Sequence, residues 1–210
     1  MFNNPERTLR QIRFPSEVRV IKSIMESIEQ NFGFNFTIAN GHVKEVQLIS
    51  AGIVIIPRQL KDLPFLTKLQ LPANQLKKLR NLERCTNLIA LNLQDNRLTN
   101  AVLGPITKLT HLKSLDLSHN HLSSWENLEN LKELEILNLF HNMICEIPRL
   151  NLPNLKILDL RQNPIKHLQN LHLLENLVEL RLDKARFPLE EQKIITKGLE
   201  AVKNFCRSVD

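Results

Sequence analysis

The stretch Leu134–Ile144 reads LEILNLFHNMI and fits the phrase LxxLxLxxNxL, in which x is variable and Ile can replace the last Leu. Four further complete copies begin at Leu66, Leu88, Leu112 and Leu155. Two degraded copies, in which Ala stands in place of Asn, flank the complete ones and begin at Val43 and Leu177. Seven copies of one phrase in a chain of 210 residues indicate a repeat architecture.

The spacing of the copies is regular. Measured at the ninth position, successive steps are 23, 22, 24, 22, 21 and 22 residues. A period of about 20 to 29 residues with this phrase is the signature of leucine-rich repeats, whose units stack because none buries its apolar face alone. The sequence therefore predicts an α/β solenoid over residues 43–187, a leucine-rich repeat horseshoe with seven parallel strands on its concave face.

Within each unit, variable residues and leucines alternate along the segment xLxLx, as they do in a half-buried strand. The leucines therefore point inward and the variable residues outward. The Asn that follows the strand can bond backbone groups left unpaired by the turn. We therefore interpret Asn74, Asn96, Asn120, Asn142 and Asn163 as a structural ladder. Between strands, apolar residues recur every third position, which favours 3₁₀ turns on the convex side. Cys85 and Trp125 fall in that apolar series, and we expect both in the core.

We expect both flanking segments to act as caps that cover the exposed ends of the solenoid. Apolar residues at helical spacing predict a helix over residues 16–32, with Ser16 as its N-cap and Gly33 after its end. The segments FNFTIA and HVKEVQL, joined by Asn40-Gly41, predict a hairpin. A simple two-residue turn would place Phe34 and Phe36 opposite Gln47 and Glu45, on the concave side, whereas a bulge would return both rings to the core.

The C-terminal flank predicts one closing helix after Pro188. Two glutamates, Glu190 and Glu191, lie near its positive N-terminal end. Its apolar face is formed by Ile195, Leu199, Val202 and Cys206. These patterns divide the chain into an N-terminal cap (1–42), seven repeats (43–187) and a C-terminal cap (188–210).

Composition bears on location and class. The net charge is +6, which affects attraction to acidic partners more than fold. No run of roughly 18 apolar residues predicts a membrane span, and Arg7, Arg10 and Arg13 stand where a signal peptide would need an apolar core. The three cysteines are scattered, which favours a reducing compartment. We expect a cytoplasmic protein.

In its short repeats, the chain resembles the cytosolic leucine-rich class typified by a small regulator of protein phosphatase 1. Its hairpin entry through Asn40-Gly41 into the first degraded repeat looks like one seen in microbial cytosolic leucine-rich proteins. The resemblance implies that protein partners bind on the concave face, as in an adaptor, a regulator or a microbial effector. The units are shorter than those of the Ran GTPase activator type, so that activity is not expected.

No motif for catalysis is recognisable: the chain lacks a phosphate-binding loop, a zinc-hydrolase helix and a nucleophile elbow. We predict a protein that is not an enzyme, with no cofactor and no metal. The alternative for a small site is the eighth column of the repeat, where Asp95, His119 and His141 could share a metal or make binding pH-sensitive. The competing interpretation is a polar rim, because Ser50, Ala73, Gln162 and Lys184 occupy the same column.

The concave face carries one apolar cluster. Ile136, Phe140 and Ile157 belong to two adjacent units, and exposed apolar residues are informative when they cluster. Five polar residues surround them in the pattern of a protein-binding hot spot, namely Asp116, Asn138, His141, Asp159 and Arg161. The alternative is that the three apolar residues reflect only strand propensity and cover one another.

These patterns favour a non-catalytic protein-interaction module, and we expect a monomer. A second hypothesis is nucleic-acid binding by basic residues at the N-terminus and on the convex side: Arg7, Arg10, Arg13, Arg19, Lys22, Lys77, Lys78, Arg80 and Arg84. Stacking aromatics are scarce, with no Tyr and one Trp, which makes nucleic acid the weaker hypothesis. A third hypothesis is a structural or self-associating scaffold.

Overall fold

The computed structural model describes residues 8–28 and 33–209. Its centre is an eight-stranded sheet in which spatial order follows chain order. The strands are β1 Phe34–Ala39, β2 His42–Leu48, β3 Lys68–Gln70, β4 Ala90–Asn92, β5 Ser114–Asp116, β6 Ile136–Asn138, β7 Ile157–Asp159 and β8 Glu179–Arg181. Strand β1 is antiparallel to β2, and β2 to β8 are parallel. The seven predicted parallel strands are confirmed.

The register of the sheet follows the repeat phrase. Leu69, Leu91 and Leu115 are directly paired across β3, β4 and β5, and all three are buried. Because side chains alternate along a strand, the same register aligns the variable positions in columns on the opposite face. The columns create the open concave surface that the sequence predicted.

The asparagine ladder is also present. Nδ2 of Asn96 donates to the carbonyl oxygen of Leu71 in the preceding unit and to that of Leu93 in its own unit, at 3.0 and 3.1 Å. Its Oδ1 accepts from the backbone N–H of Leu76 at 3.0 Å. The other four asparagines of the phrase are buried and bond in the same way. Each side chain therefore satisfies backbone groups of two units at once.

Residues at the eighth position of the repeat, the eighth column, share an unusual backbone conformation. Six of its members have a left-handed backbone with φ between 50° and 55°: Ser50, Ala73, Asp95, His119, His141 and Gln162. This conformation turns the chain out of the strand immediately before the ladder asparagine. The seventh member, Lys184, instead begins a 3₁₀ turn. The column is thus defined by backbone geometry more than by side-chain chemistry.

The convex side consists of short 3₁₀ segments, as the three-residue spacing predicted. They are Arg58–Asp62, Leu82–Arg84, Asn100–Val102, Gly104–Lys108, Glu126–Leu128, Leu171–Leu173 and Lys184–Arg186. Cys85 and Trp125 both lie in the core, as expected. Burial raises the pKa of the Cys85 thiol to about 11, with a smaller contribution from the charge of Glu83.

The N-terminal helix, α1, spans Pro15–Glu26. It begins one residue before the predicted cap Ser16, because Pro15 occupies the first helical turn, where its missing N–H costs nothing. The helix ends at Glu26, earlier than the predicted span of residues 16–32, of which residues 29–32 lie outside the described part of the chain. Ile21 and Ile24 are buried, and the helix packs against the 3₁₀ turn Arg58–Asp62.

The hairpin resolves the register that the sequence left open. Its two-residue turn, Asn40-Gly41, has positive φ at both residues, and a bulge interrupts the pairing between Thr37 and Ile38. Phe36 therefore pairs with Val46, and Phe34 pairs with Leu48. Both rings are buried, because the extra residue turns them from the concave face into the core.

The C-terminal flank corrects the prediction of a single closing helix. Two helices are present, α2 at Leu189–Thr196 and α3 at Leu199–Val209. Between them Gly198 adopts a φ of 96°, which no right-handed helix contains. Val202 and Cys206 are buried as expected, and α3 packs on the 3₁₀ turn Leu171–Leu173.

A buried glutamate attaches each terminal region to the repeats. Glu17 of α1 accepts from Nδ1 of His42 at 2.7 Å and from the backbone N–H of Val43 at 2.8 Å. Glu191 of α2 accepts in the same way from Nδ1 of His167 at 3.0 Å and from the N–H of Leu168 at 2.6 Å. Both carboxylates are almost inaccessible to solvent. The two ends of the solenoid use the same type of contact.

Candidate protein-binding surface

The predicted apolar cluster lies on strands β6 and β7. Ile136 is paired directly with Ile157 across the two strands, and Phe140 follows β6 on the same face. Ile136 remains 41% exposed, whereas Ile157 and Phe140 are half-buried. The structure therefore brings these residues of the proposed site together on the concave face. We call Ile136, Phe140 and Ile157 the concave patch.

Two polar side chains flank the ring of Phe140. The ring of His119 meets it edge-on, with centroids 5.1 Å apart. On the other side, the guanidinium carbon of Arg161 lies 5.4 Å from the ring centroid, within the range of a cation–π contact. Phe140 is thus held by neighbours from the units on both sides of its own. This arrangement fixes the ring while leaving part of it accessible.

Internal hydrogen bonds hold the polar residues on one side of the patch. Oδ2 of Asp116 accepts from Nδ2 of Asn138 at 2.9 Å, and its Oδ1 accepts from the N–H and hydroxyl of Ser118 at 2.8 and 2.6 Å. Oδ1 of Asn138 accepts in turn from the N–H of Phe140 at 3.0 Å. The frame around the patch is therefore preorganised, which lowers the entropic cost of binding.

On the other side, Asp159 is only 3% exposed and lies between two arginines. Its Oδ2 accepts from Nη2 of Arg161 at 2.6 Å and lies 3.5 Å from Nη1 of Arg181. Burial alone would raise the pKa of Asp159, but the hydrogen bonds and charge of Arg161, together with the charge of Arg181, hold it below its ordinary value. The carboxylate therefore stays ionised and fixes Arg161 beside Phe140.

Two members of this surface were absent from the predicted site. Arg181 joins it through Asp159 and also donates from Nε to Glu179 at 2.7 Å. Its column position opposite Asp159 on β8 was the signal that could have identified it. From sequence, His119 was a candidate for a metal site or for pH-sensitive binding, and its contact with Phe140 places it at the edge of the patch.

His119 and His141 of the eighth column line a groove of about 450 Å³ beside the patch, which we call the histidine groove. The rings of His119 and His141 stack with centroids 4.7 Å apart, and Nδ1 of His141 donates to Oε1 of Gln162 at 2.6 Å. Asp95 also lines this groove. Within residues 8–28 and 33–209, no group of three His, Cys, Asp or Glu side chains is arranged to hold a metal ion. The left-handed backbone of this column accounts for its position at the rim.

The basic residues of the nucleic-acid hypothesis are exposed wherever the structure describes them, and Arg7 lies outside the described residues. Their exposure fits a solvated surface as well as a binding surface. Across the described part of the chain, no helix has the length and apolar character needed to cross a membrane.

The comparisons with known proteins agree on the fold. Residues 110–153 match the family model described as leucine-rich repeats (2 copies). No curated protein matches the chain. An internalin from Listeria monocytogenes, inlF, is 26% identical with a TM-score of 0.54, covering 61% of this chain and 39% of that one. The chain therefore spans about two fifths of that internalin's length.

Two further structures share the fold at lower identity. Internalin C2 of Listeria monocytogenes is 21% identical with a TM-score of 0.53, covering 67% of this chain and 74% of that one. The leucine-rich ectodomain of the receptor kinase SOBIR1 of Arabidopsis thaliana is 21% identical with a TM-score of 0.53, covering 81% and 93%. The architecture is a leucine-rich repeat solenoid, as the phrase predicted.

Proposed function

We propose that this chain is a non-catalytic interaction module that binds a protein partner through its concave face. Leucine-rich repeat domains generally mediate protein–protein interaction, and the catalytic motifs sought in the sequence are missing from it. The observation that carries the proposal is the concave patch, in which Ile136 and the half-buried Phe140 and Ile157 lie within a hydrogen-bonded polar frame. An apolar centre with a polar rim is the usual anatomy of a binding hot spot.

We assign the partner-binding role to the eight residues predicted from sequence and add His119 and Arg181. Phe140 and the isoleucines supply the apolar contact, and Arg161 offers guanidinium donors beside it. Asp116, Asn138 and Asp159 position these groups through the bonds described above. His141, stacked on His119, forms the edge toward the histidine groove.

We also propose the division into a cap (1–42), repeats (43–187) and a second cap (188–210). The buried contacts of Glu17 and Glu191 support it, because each joins a terminal helix to the neighbouring repeat. A cytoplasmic location is supported by the scattered cysteines, of which Cys85 and Cys145 are free thiols. The likeness to an Arabidopsis ectodomain concerns fold and does not bear on compartment. An adaptor, regulator or microbial effector role fits this proposal.

The test is affinity capture from the native host with three baits. These are the wild-type chain, the double variant Phe140→Ala/Arg161→Ala, and the control Gln94→Ala. Gln94 lies in the same column as Phe140, two units away, so its truncation changes the same face outside the patch. We expect proteins retained by wild type and Gln94→Ala to be lost with the double variant. Equal retention by all three baits would contradict the proposal.

Two simple measurements address the alternatives. Titration with generic RNA at low ionic strength separates protein binding from nucleic-acid binding, because phosphate contacts are strongest there. We expect negligible binding. Sedimentation tests self-association, for which we expect a monomer; a stable oligomer would favour the scaffold hypothesis.

A further inference from the structure

A second surface lies where the chain enters strands β2 to β5. Phe140 of the concave patch lies beyond the other end of the strands, since it follows the end of β6. The second surface is a groove of about 480 Å³ whose lining includes Lys44, Pro64, Phe65, Ile89 and Lys113. We call it the entry-edge groove. No residue that lines the groove belongs to the concave patch, which comes nearest to it at Ile136, whose N–H donates to the carbonyl oxygen of Lys113 at 3.0 Å.

The repeats provide an internal control for the composition of this groove. The residue before the first Leu of the phrase is Asn in three units, and each Asn donates from Nδ2 to a carbonyl of the preceding unit: Asn87 to Pro64, Asn154 to Lys132 and Asn176 to Pro153. Phe65 occupies this position in its own unit and is 42% exposed. The solenoid therefore does not require an exposed aromatic ring there.

Ile89 departs from the pattern in a neighbouring column. The residues aligned with it in the adjacent units are Thr67 and Lys113, and Ile89 is 40% exposed. Phe65 and Ile89 belong to consecutive units and line the same groove. Phe65 and Ile89 thus place two exposed apolar side chains next to each other, at positions where the adjacent units carry polar residues.

Neighbouring rings fix one wall of the groove. The ring of His42 stacks on Phe14 at a centroid distance of 4.0 Å and contacts Phe65 at 3.8 Å, with the two ring planes tilted by 43°. His42 is itself held by Glu17 at 2.7 Å. The wall is therefore preorganised, and a ligand that contacts Phe65 would not have to order it.

The charged residues of the groove leave an excess of positive charge. Nζ of Lys44 lies 4.8 Å from the centroid of the Phe65 ring, and no carboxylate among residues 8–28 and 33–209 lies within ion-pair distance of it. Lys113 is 3.9 Å from Glu135, which Lys156 approaches more closely at 2.7 Å. The lining carboxylate, Glu133, is paired with His111 at 3.0 Å. Both lysines are thus available to a ligand.

We propose that the entry-edge groove binds an acidic peptide segment of a protein partner, with an aliphatic side chain flanked by carboxylates. The aliphatic group packs on Phe65 and Ile89, and the carboxylates pair with Lys44 and Lys113. Charge complementarity determines this choice of occupant, since an apolar floor between two lysines disfavours a basic or purely polar segment. The site shares no residue with the concave patch.

The test uses the full chain and the synthetic peptide acetyl-Asp-Glu-Leu-Glu-Asp-amide, followed by amide NMR shifts. We expect saturable shifts at Thr67, Ile89 and Lys113, weakened by raising salt from about 0.05 M to about 0.3 M. A peptide with Ser in place of Leu, and one with Lys in place of each acidic residue, should not bind.

Variants locate the site. Lys44→Glu and Phe65→Ser should each weaken binding by at least about fivefold. Lys108→Glu makes the same charge change on an exposed convex turn and should bind as wild type does. Phe140→Ala should also bind normally, which separates this inference from the proposed function. Equal binding of the basic peptide, equal affinity of Lys44→Glu and Lys108→Glu, or no shifts at millimolar peptide would overturn the proposal.

Discussion

Arg161 lies over the ring of Phe140, with its guanidinium carbon 5.4 Å from the ring centroid. The two residues come from adjacent units and occupy the same column of the concave face. Arg161 is held there by the nearly inaccessible carboxylate of Asp159, which accepts from Nε at both oxygens and from Nη2 at Oδ2. Oδ1 of Asp159 also accepts from the backbone N–H of Arg161 at 3.1 Å. The geometry of the concave patch thus depends on a buried acid behind it.

The first prediction concerns acid stability. The pKa of Asp159 is depressed in the folded protein, so folding favours its ionised form. Its contribution to stability is therefore present above the ordinary carboxyl range, near pH 4, and is lost as pH falls through the lower folded pKa. Asp159→Asn lacks this titrating carboxyl group, so its melting temperature should fall less on acidification than that of the wild type. The exposed Asp62→Asn is the control, and an equal acid response of both variants would contradict the prediction.

The second prediction concerns the asparagine ladder. Asn120 donates to the carbonyls of Leu93 and Leu117 and accepts from the N–H of Leu98, all in the buried interior. Asn120→Ala leaves these groups unpaired and should lower the free energy of unfolding by about 3 kcal/mol, measured with urea. Asn92→Ala, which removes one partly solvated hydrogen bond, should cost about 1 kcal/mol. Equal losses of unfolding free energy in the two variants would contradict a larger stabilising contribution from the ladder.

The third prediction concerns the two buried glutamates. Truncating Glu17 leaves Nδ1 of His42 and the N–H of Val43 without their acceptor, at a cost of about 2 kcal/mol. Glu191→Ala should cost a similar amount for the same reason. Because the sites are at opposite ends of the solenoid, the double variant should show additive losses. Glu26→Ala, on the exposed face of α1, should have little effect. If Glu17→Ala lost no more unfolding free energy than Glu26→Ala, the proposed role of Glu17 in attaching the terminal helix would be contradicted.

The fourth prediction concerns the thiols. Cys145 is exposed, whereas Cys85 and Cys206 are buried, and the pKa of Cys85 is about 11. The thiolate is the reactive form, so a thiol reagent at mildly alkaline pH should label one cysteine rapidly and the others only after denaturation. Cys145→Ser should remove the rapid phase. Rapid labelling of two or more cysteines in the native chain would show that the core opens readily.

The repeat phrase was sufficient to predict the solenoid, the parallel strands and the asparagine ladder, because these depend on periodicity that is local to each unit. The left-handed turn before each asparagine was not predicted. Its members include Ala73, His119 and Gln162, so residue type carried no signal for that backbone conformation. The contacts of Glu17 and Glu191 were also missed, since their partners lie 23 to 26 residues away in sequence.

The candidate site was predictable in outline. The column pattern brought Ile136, Phe140 and Ile157 together, but it could not show that Arg161 and His119 flank the ring. Those contacts depend on side-chain rotamers, which a one-dimensional pattern does not contain. Similarly, only the bulge at Thr37 decided that Phe34 and Phe36 face the core.

The measurement that tests the central claim most directly combines affinity and stability for Phe140→Ala. With a partner obtained by capture, we expect the dissociation constant to rise by at least about tenfold, as for a hot-spot residue. The melting temperature should fall by less than about 3 °C, because the ring is half-buried at the surface of the sheet. Unchanged affinity, or unfolding of the variant, would show that Phe140 belongs to the scaffold and would contradict the account.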